Sequence, residues 1–337
     1  MVSRALLTYI ASRTATYIAT ILMAFTITFI LLRAMPVSAV ETIIASMTAQ
    51  GQVYDPKALM QLRRSLYELF GLTGSPIEQY FRFLYRFLTL DFGPSILAFP
   101  TPVKELILDK LPWTVGLLGF SVIISWTVGN MLGTLAAVFE GTRFSKVLQS
   151  VALVIYPIPY YIMALVLIYL FAYLIPIFPL TSGAGIISQA ITLEAVVDLV
   201  RRSALPALSI IIVGMLGWWF LSSRTLTLNV LSEDFTVYAE LRGLPRNYIL
   251  RKYVLRNILL PQTTALGLAL GTIFSGALLT EIIFAYPGLG LLMYRAIANG
   301  DYSTALGVLS FSMIGVATAT YILDLIYPFI DPRVRYR

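Results

Sequence analysis

Apolar residues run through this sequence in long blocks, not in the short alternating clusters of a soluble fold. A helix needs about 20 apolar residues to cross a bilayer core. Six stretches approach or exceed that length: Thr14–Leu32, Trp113–Phe139, Val147 to Leu174, Leu205–Leu221, Leu259–Phe284 and Thr304–Ile330. The pattern predicts an all-α polytopic membrane protein with six transmembrane helices and a long external loop after the first. Pro157 and Pro159 remove backbone donors from the third stretch and predict a kink there. Small residues at Val37-Ser38-Ala39 resemble a signal cleavage site, but a 19-residue apolar core exceeds the usual signal core of about 7–15. An uncleaved anchor helix is therefore expected.

Two segments between the spans have helical periodicity of their own. In the loop 33–112, Lys57–Phe70 sets Leu59, Leu62, Leu66 and Phe70 on one face. Ile77–Leu90 carries Tyr80, Phe81, Phe83, Tyr85 and Phe87. That aromatic segment reads either as a platform for an external partner or as a helix lying at headgroup depth. The loop 223–258 is basic and helical, with breaks at Gly243 and Pro245. The expected divisions are an anchor at 1–33, an external loop at 34–107, a core at 108–330 and a tail at 331–337.

Composition narrows this picture. Hydrophobic residues make up 58% of the chain and charged residues only 12%, too few to cover the surface of a soluble protein. There are 24 Lys+Arg against 17 Asp+Glu, a net charge of +7. In so apolar a chain that excess reports topology and anionic lipid, not nucleic acid. Segments 1–13, 140–146, 223–258 and 331–337 hold 13 basic residues, while 180–204 and 286–303 hold three. Loop 33–112 is nearly neutral, with eight basic and seven acidic residues. The asymmetry places both termini in the cytosol. With neither Cys nor His, the chain can have no disulfide framework, thiol nucleophile or histidine base.

Candidate chemistry is sparse. The nearest approach to a phosphate-binding loop, Gly271-Thr272-Ile273-Phe274-Ser275-Gly276, is followed by Ala277-Leu278, without Lys and Ser/Thr. Zinc-protease and EF-hand spacings are missing from the sequence. Glu281 and Asp324 are the acids inside the predicted spans, where each costs about 2.5–3.5 kcal/mol at a helix centre. They read as an ion relay or as groups tied to a neighbouring helix. Their predicted depths differ by roughly 20 Å, which favours the second reading. Gly129 with Gly133, and Gly267 with Gly271, have the spacing for close helix packing.

One ordered set of motifs is more specific. Asp234-Phe235-Thr236-Val237-Tyr238-Ala239-Glu240-Leu241-Arg242-Gly243-Leu244 leads to Leu259-Leu260-Pro261. Glu281-Ile282-Ile283-Phe284-Ala285-Tyr286-Pro287-Gly288-Leu289-Gly290 follows, then Asp301-Tyr302, Asp324-Leu325-Ile326-Tyr327 and Asp331-Pro332-Arg333. Nearer the front stand Tyr80-Phe81-Arg82, Asp91-Phe92-Gly93-Pro94-Ser95, Pro102-Val103 and Leu111-Pro112. This order resembles the permease subunits of binding-protein-dependent ABC importers, and within them the first permease of the dipeptide/oligopeptide/nickel group. The likeness covers nearly the whole chain outside roughly 41–73.

The resemblance implies a type I ABC importer transmembrane fold in a prokaryotic plasma membrane. The chain would form half of a translocation path for peptides or a related solute such as oligosaccharides. Implied partners are a second homologous permease, two ATP-binding subunits and an extracytoplasmic solute-binding protein. ATP and Mg would sit on the partners, with no cofactor or metal in this chain and no catalytic residue. The family's EAAxxxG loop maps to 237–243, where Ala239 and Gly243 match and Val237 and Tyr238 depart. Tyr238, Ala239, Glu240, Arg242, Gly243 and Leu244 would then form a coupling helix for the ATPase. The basic residues around it serve that docking or bind lipid phosphates. Pro287, Gly288, Leu289 and Gly290 read as a turn, with glycines supplying unusual backbone angles; the resemblance adds an external gate. The alternative, a stand-alone channel or secondary transporter, needs a filter or paired intramembrane charges. An intramembrane hydrolase needs a Ser–Lys pair or aspartyl dyad, but no Lys lies in a span and Asp324 is the sole Asp there.

Overall fold

The computed structural model describes residues 4–34, 40–41, 44, 55–69, 73–183 and 192–330. The cleavage-site resemblance at 37–39, the tail 331–337 with its Asp-Pro-Arg, and 42–43, 45–54 and 70–72 lie outside these residues. The described chain is helical throughout, apart from turns and one bridge between Pro94 and Pro102.

The elements are α1 (Arg4–Ala34), α2 (Pro56–Leu69), α3 (Pro76–Leu88), α4 (Val103–Val138), α5 (Arg143–Ile155) and α6 (Tyr160–Ile168). Then come α7 (Leu193–Gly214), α8 (Phe220–Leu231), α9 (Asp234–Leu241), α10 (Arg246–Ile249), α11 (Leu255–Gly271), α12 (Leu278–Ile283), α13 (Leu289–Ala298) and α14 (Tyr302–Ile330). π-Helical turns fuse α7 to α8 and α10 to α11. Among the described residues five helices are long and apolar enough to cross a membrane, and the bent pair α5–α6 is a sixth if it counts as one span.

Several bounds differ from the sequence expectation. Helix α4 starts at Val103, ten residues before the predicted span, and carries Pro112 inside it. Its first turns alternate buried Val103 and Ile107 with Lys104, Glu105, Asp109 and Lys110, so charge hides an amphipathic helix from a hydropathy window. The fourth span expands to Leu193–Leu231. Thr192 caps it by accepting from the Ala195 amide at 3.2 Å. At 39 residues it is roughly 58 Å long, well beyond a bilayer core. The proline-bearing third stretch is more than kinked, because its two limbs meet at 99°. The fifth span stops at Phe274, and Gly276 at φ +75° separates it from α12. Glu281 therefore lies on a separate short helix, not inside the long span.

Helix α4 is the central post. It contributes Leu117 to a core with Leu167, Leu205, Ile211 and Phe284, and Val103 and Ile107 to another with Leu289 and Val308. Lipid tails are as apolar as these side chains, so close packing rather than water exclusion holds such helices together. A Cβ on Gly129 would lie 2.5 Å from Trp219 Cβ, and one on Gly133 would collide with the Phe220 carbonyl. These glycines bring α4 onto the π-turn and α8. Gly267 and Gly271 do the same for α11 against Leu323 and Ala319 of α14.

Helix α1 lies at the edge, against α14 and α3. Tyr17 stacks on Tyr321 with centroids 4.7 Å apart, and Thr14 hydrogen-bonds Tyr321 at 2.7 Å. At its other end, Phe25 and Phe29 pack on Phe87, Tyr80 and Phe83 of α3. Ser75 and Glu78 cap α3 reciprocally, with Pro76 in its first turn. The aromatic segment therefore clamps α1 with one face. Its opposite face exposes Ile77, Phe81, Tyr85 and Leu88, compatible with either sequence reading.

Candidate functional site

Two glycine-bearing turns hold most of the sequence-predicted site residues. The first follows α9. Gly243 has φ +71°, and its amide donates to the Glu240 carbonyl at 2.9 Å. The Leu244 amide reaches back to the Ala239 carbonyl at 3.3 Å. This pair of bonds is a Schellman C-cap, which favours glycine because a Cβ resists the left-handed conformation. A Cβ on Gly243 would meet nothing within 4 Å. Glycine is thus needed for the backbone angle, and the space beside it is open.

Ala239 and Thr236 are buried and seat α9 on the body; the Thr236 hydroxyl donates to the Val230 carbonyl at 2.8 Å. Apolar side chains lie on the outer surface: Tyr238 is 62% exposed and Leu241 81%, with Phe235 and Val237 also exposed. Arg242 lies over the Tyr238 ring at 5.8 Å. The elbow is anchored to the end of α4 by Arg246, whose guanidinium donates to the Val138 carbonyl at 2.6 Å, where the helix dipole favours a cation. Arg224 pairs with Glu140 just beyond that end at 3.2 Å. Arg251, Lys252 and Arg256 are exposed.

The second turn surrounds Glu281, which is 0% exposed. Its carboxylate accepts from the Thr114 hydroxyl at 2.9 Å, the Gly290 amide at 2.7 Å and the Leu291 amide at 3.2 Å. Thr114 in turn accepts from the Leu289 amide at 2.8 Å. Three first-turn amides of α13 are thereby satisfied by two side chains, at a helix end that favours negative charge. A buried carboxylate is tolerable only with such donors.

The glycines of 287–290 have a different role from the expected one. Gly288 has φ −96°, and Gly290 lies within α13, so neither supplies a left-handed angle. A Cβ on Gly288 would overlap the Glu281 carboxyl group, and one on Gly290 would lie 2.7 Å from Leu278 Cα. They are small to admit the carboxylate. Around this clasp, the Ser182 amide donates to the Phe284 carbonyl at 2.7 Å and its hydroxyl to the Arg202 carbonyl at 2.7 Å. Tyr286 is buried edge-on to Trp113.

Among the described residues Glu281 and Asp324 share no partner. Asp324 pairs with Arg13 at 3.3 Å, on the far part of α14 from α13. Thr114 was missed by sequence reading; its only cue is a hydroxyl in an apolar run one turn beyond Lys110. Asp301 was visible in its motif but not as a site. It is fully buried, caps α14 through the Thr304 amide at 3.0 Å, and accepts from Ser95 and the Leu97 amide. Among the described residues no group of three or more acidic side chains could hold a metal ion.

Long apolar helices packed around α4, with one broken span, define a helical membrane protein. The family described as binding-protein-dependent transport system inner membrane component matches residues 129–336, and this chain belongs to it. The oligopeptide transport system permease protein AppB of Bacillus subtilis is 30% identical, over 84% of this chain and 88% of that protein. The peptidoglycan transport system permease protein YejB of Agrobacterium fabrum is 27% identical over 97% and 98%. The dipeptide transport system permease protein DppB of Bacillus subtilis is 28% identical over 97% of each chain. Membership sets aside a stand-alone channel or secondary transporter.

Proposed function

We propose that this chain is one of two permease halves of an ATP-driven peptide importer in the prokaryotic cell membrane, with both termini and the α9 elbow in the cytosol. ATP and Mg belong to two partner ATPase subunits, and a solute-binding protein delivers substrate on the opposite side, where the Glu281 clasp shapes the gate. The relatives named for oligopeptide and dipeptide transport support peptides over oligosaccharides.

The observation that carries this reading is the α9 elbow, with Tyr238 and Leu241 outward beside an open Gly243. It is an apolar knob fixed to the body and left uncovered by the described residues. Closure of the ATPases on ATP displaces the knob. Arg246 passes that displacement to the end of α4, a helix of 36 residues that also carries Thr114 of the clasp. A continuous helix with one polar attachment at Val138 and another at Thr114 is a physical route for alternating access.

The test is a Tyr238→Cys variant co-expressed with its partner subunits. Tyr238→Cys is expected to cross-link to the ATPase with a yield that changes when ATP binds. The assembled complex hydrolyses ATP and the isolated chain does not. Robust hydrolysis by the isolated chain, or cross-links to the solute-binding protein from Tyr238→Cys, overturns the assignment.

A further inference from the structure

The seam between α1 and α14 does not close along its length. At one end it is laced by polar contacts: Tyr9 donates to the Asp324 carbonyl at 2.8 Å, Thr14 meets Tyr321, and Tyr17 meets Thr318 at 3.0 Å. Beside these rungs a groove of about 450 Å³ opens between the two helices, running from Arg13 and Asp324 to Ala24 and Met313. It continues into a second hollow of about 450 Å³ that shares Ala24, Leu309 and Met313 and ends at Leu31. The hydroxyls of Thr16 and Thr320 on its walls are turned back onto their own helices, to the Ser12 and Val316 carbonyls. The groove therefore presents mainly methyl and methylene surface.

Three features narrow the occupant. Arg13 to Ala24 is 11 residues of helix, or roughly 16 Å, close to the half-thickness of a bilayer core about 30 Å across. The roughly 450 Å³ available over that length accommodates one extended hydrocarbon chain. The mouth carries an ion pair, Arg13 Nη1 to Asp324 Oδ2 at 3.3 Å, with side chains still 42% and 30% exposed. Guanidinium keeps further N–H donors after one contact, and carboxylate keeps further lone pairs. An adjacent cation and anion complement a headgroup that is itself a phosphate joined to an ammonium.

We propose that the α1/α14 groove is a binding site for a zwitterionic amino-phospholipid. One acyl chain lies between the helices, the phosphate meets Arg13, and the primary ammonium donates to Asp324. Such a lipid bridges a peripheral helix to the body between the polar rungs at Tyr9, Thr14 and Tyr17 and the Thr28–Met313 contact further along. It also gives Asp324 a role apart from ion conduction.

The full-length protein, purified with its partners in mild detergent, is tested by native mass spectrometry. It is then reconstituted in nanodiscs of phosphatidylethanolamine, phosphatidylcholine or phosphatidylglycerol. A retained phosphatidylethanolamine adduct is expected. Phosphatidylcholine, whose ammonium has no N–H, is expected to bind about tenfold more weakly, the scale of one charge-assisted hydrogen bond. Arg13→Gln with Asp324→Asn should abolish that preference, and Ala24→Phe should remove the adduct by filling the groove. The headgroup comparison uses the unaltered protein and so does not depend on a variant folding. Equal retention of all three lipids, preference for phosphatidylglycerol, or an Ala24→Cys variant that cross-links to the partner permease in place of lipid protection overturns the proposal.

Discussion

The two glycine turns look alike in sequence and differ in what their glycines do. At the α9 elbow the glycine is fixed by a left-handed angle, with empty space where a side chain would go. At the Glu281 clasp the angles are ordinary and the space is fully taken by a carboxylate. The clasp satisfies its polar groups from within the chain, joining α4, α12 and α13. The elbow turns its apolar side chains outward. The clasp is therefore complete in itself, whereas the elbow leaves an apolar surface exposed, which the proposed function assigns to the ATPase. Substitutions should separate the two: changes at the clasp unfold, and changes at the elbow disconnect.

The largest effect belongs to the clasp carboxylate. Glu281→Leu leaves the Thr114 hydroxyl and the Gly290 and Leu291 amides without their acceptor, at a position with no access to solvent. Loss of one member of a buried charge-assisted network costs about 3–5 kcal/mol. A sharply lower melting temperature in detergent is expected, together with loss of assembled complex. Unchanged melting would mean that the clasp is not holding α13 to α4.

The glycines give the intermediate case and the most direct comparison. Gly288→Ala forces a methyl into the Glu281 carboxyl group, and overpacking of this kind costs about 1–3 kcal/mol. Gly243→Ala meets no atom and is charged only for its positive φ, about 1 kcal/mol. Gly288→Ala should thus lower the melting temperature more than Gly243→Ala does. The order should reverse for ATPase coupling, where a bulky Gly243→Trp disrupts docking and adds little further destabilisation. Equal effects in both assays would erase the distinction between a filled turn and an open one.

Most of the span pattern and the elbow were legible in the sequence, for local reasons. Hydrophobic runs mark helices, and a Schellman cap is written within six residues, from Ala239 to Leu244. The clasp was not legible, because Thr114 and Glu281 are 167 positions apart and only the fold brings them together. The motif glycines were conspicuous, yet their reason was misread: a glycine that makes room for a carboxylate and one that bends a turn are the same letter. Helix α4 was shortened by its charged first turns, whose apolar face shows only once Val103 and Ile107 are seen against Leu289 and Val308. Gly276 broke the fifth span because one positive φ outweighs an otherwise continuous apolar run.

The smallest effect on stability should come from the elbow's outer face, and it is the most discriminating test. Tyr238 and Leu241 touch solvent over most of their surface, the cap bonds beside them are made by backbone alone, and exposed side-chain substitutions of this kind shift stability by about 0.5 kcal/mol or less. Tyr238→Ala with Leu241→Ser should therefore leave the melting temperature of the isolated chain nearly unchanged. Buried interface anchors, by contrast, cost about 2 kcal/mol or more each when truncated, so affinity for the ATPase subunits should fall at least about thirtyfold. The double variant would insert normally, retain its clasp and co-purify poorly with the ATPase. If association persists while the chain itself is destabilised, the exposed side chains stabilise the fold and are not a docking knob. The two turns would then differ only in geometry, not in purpose.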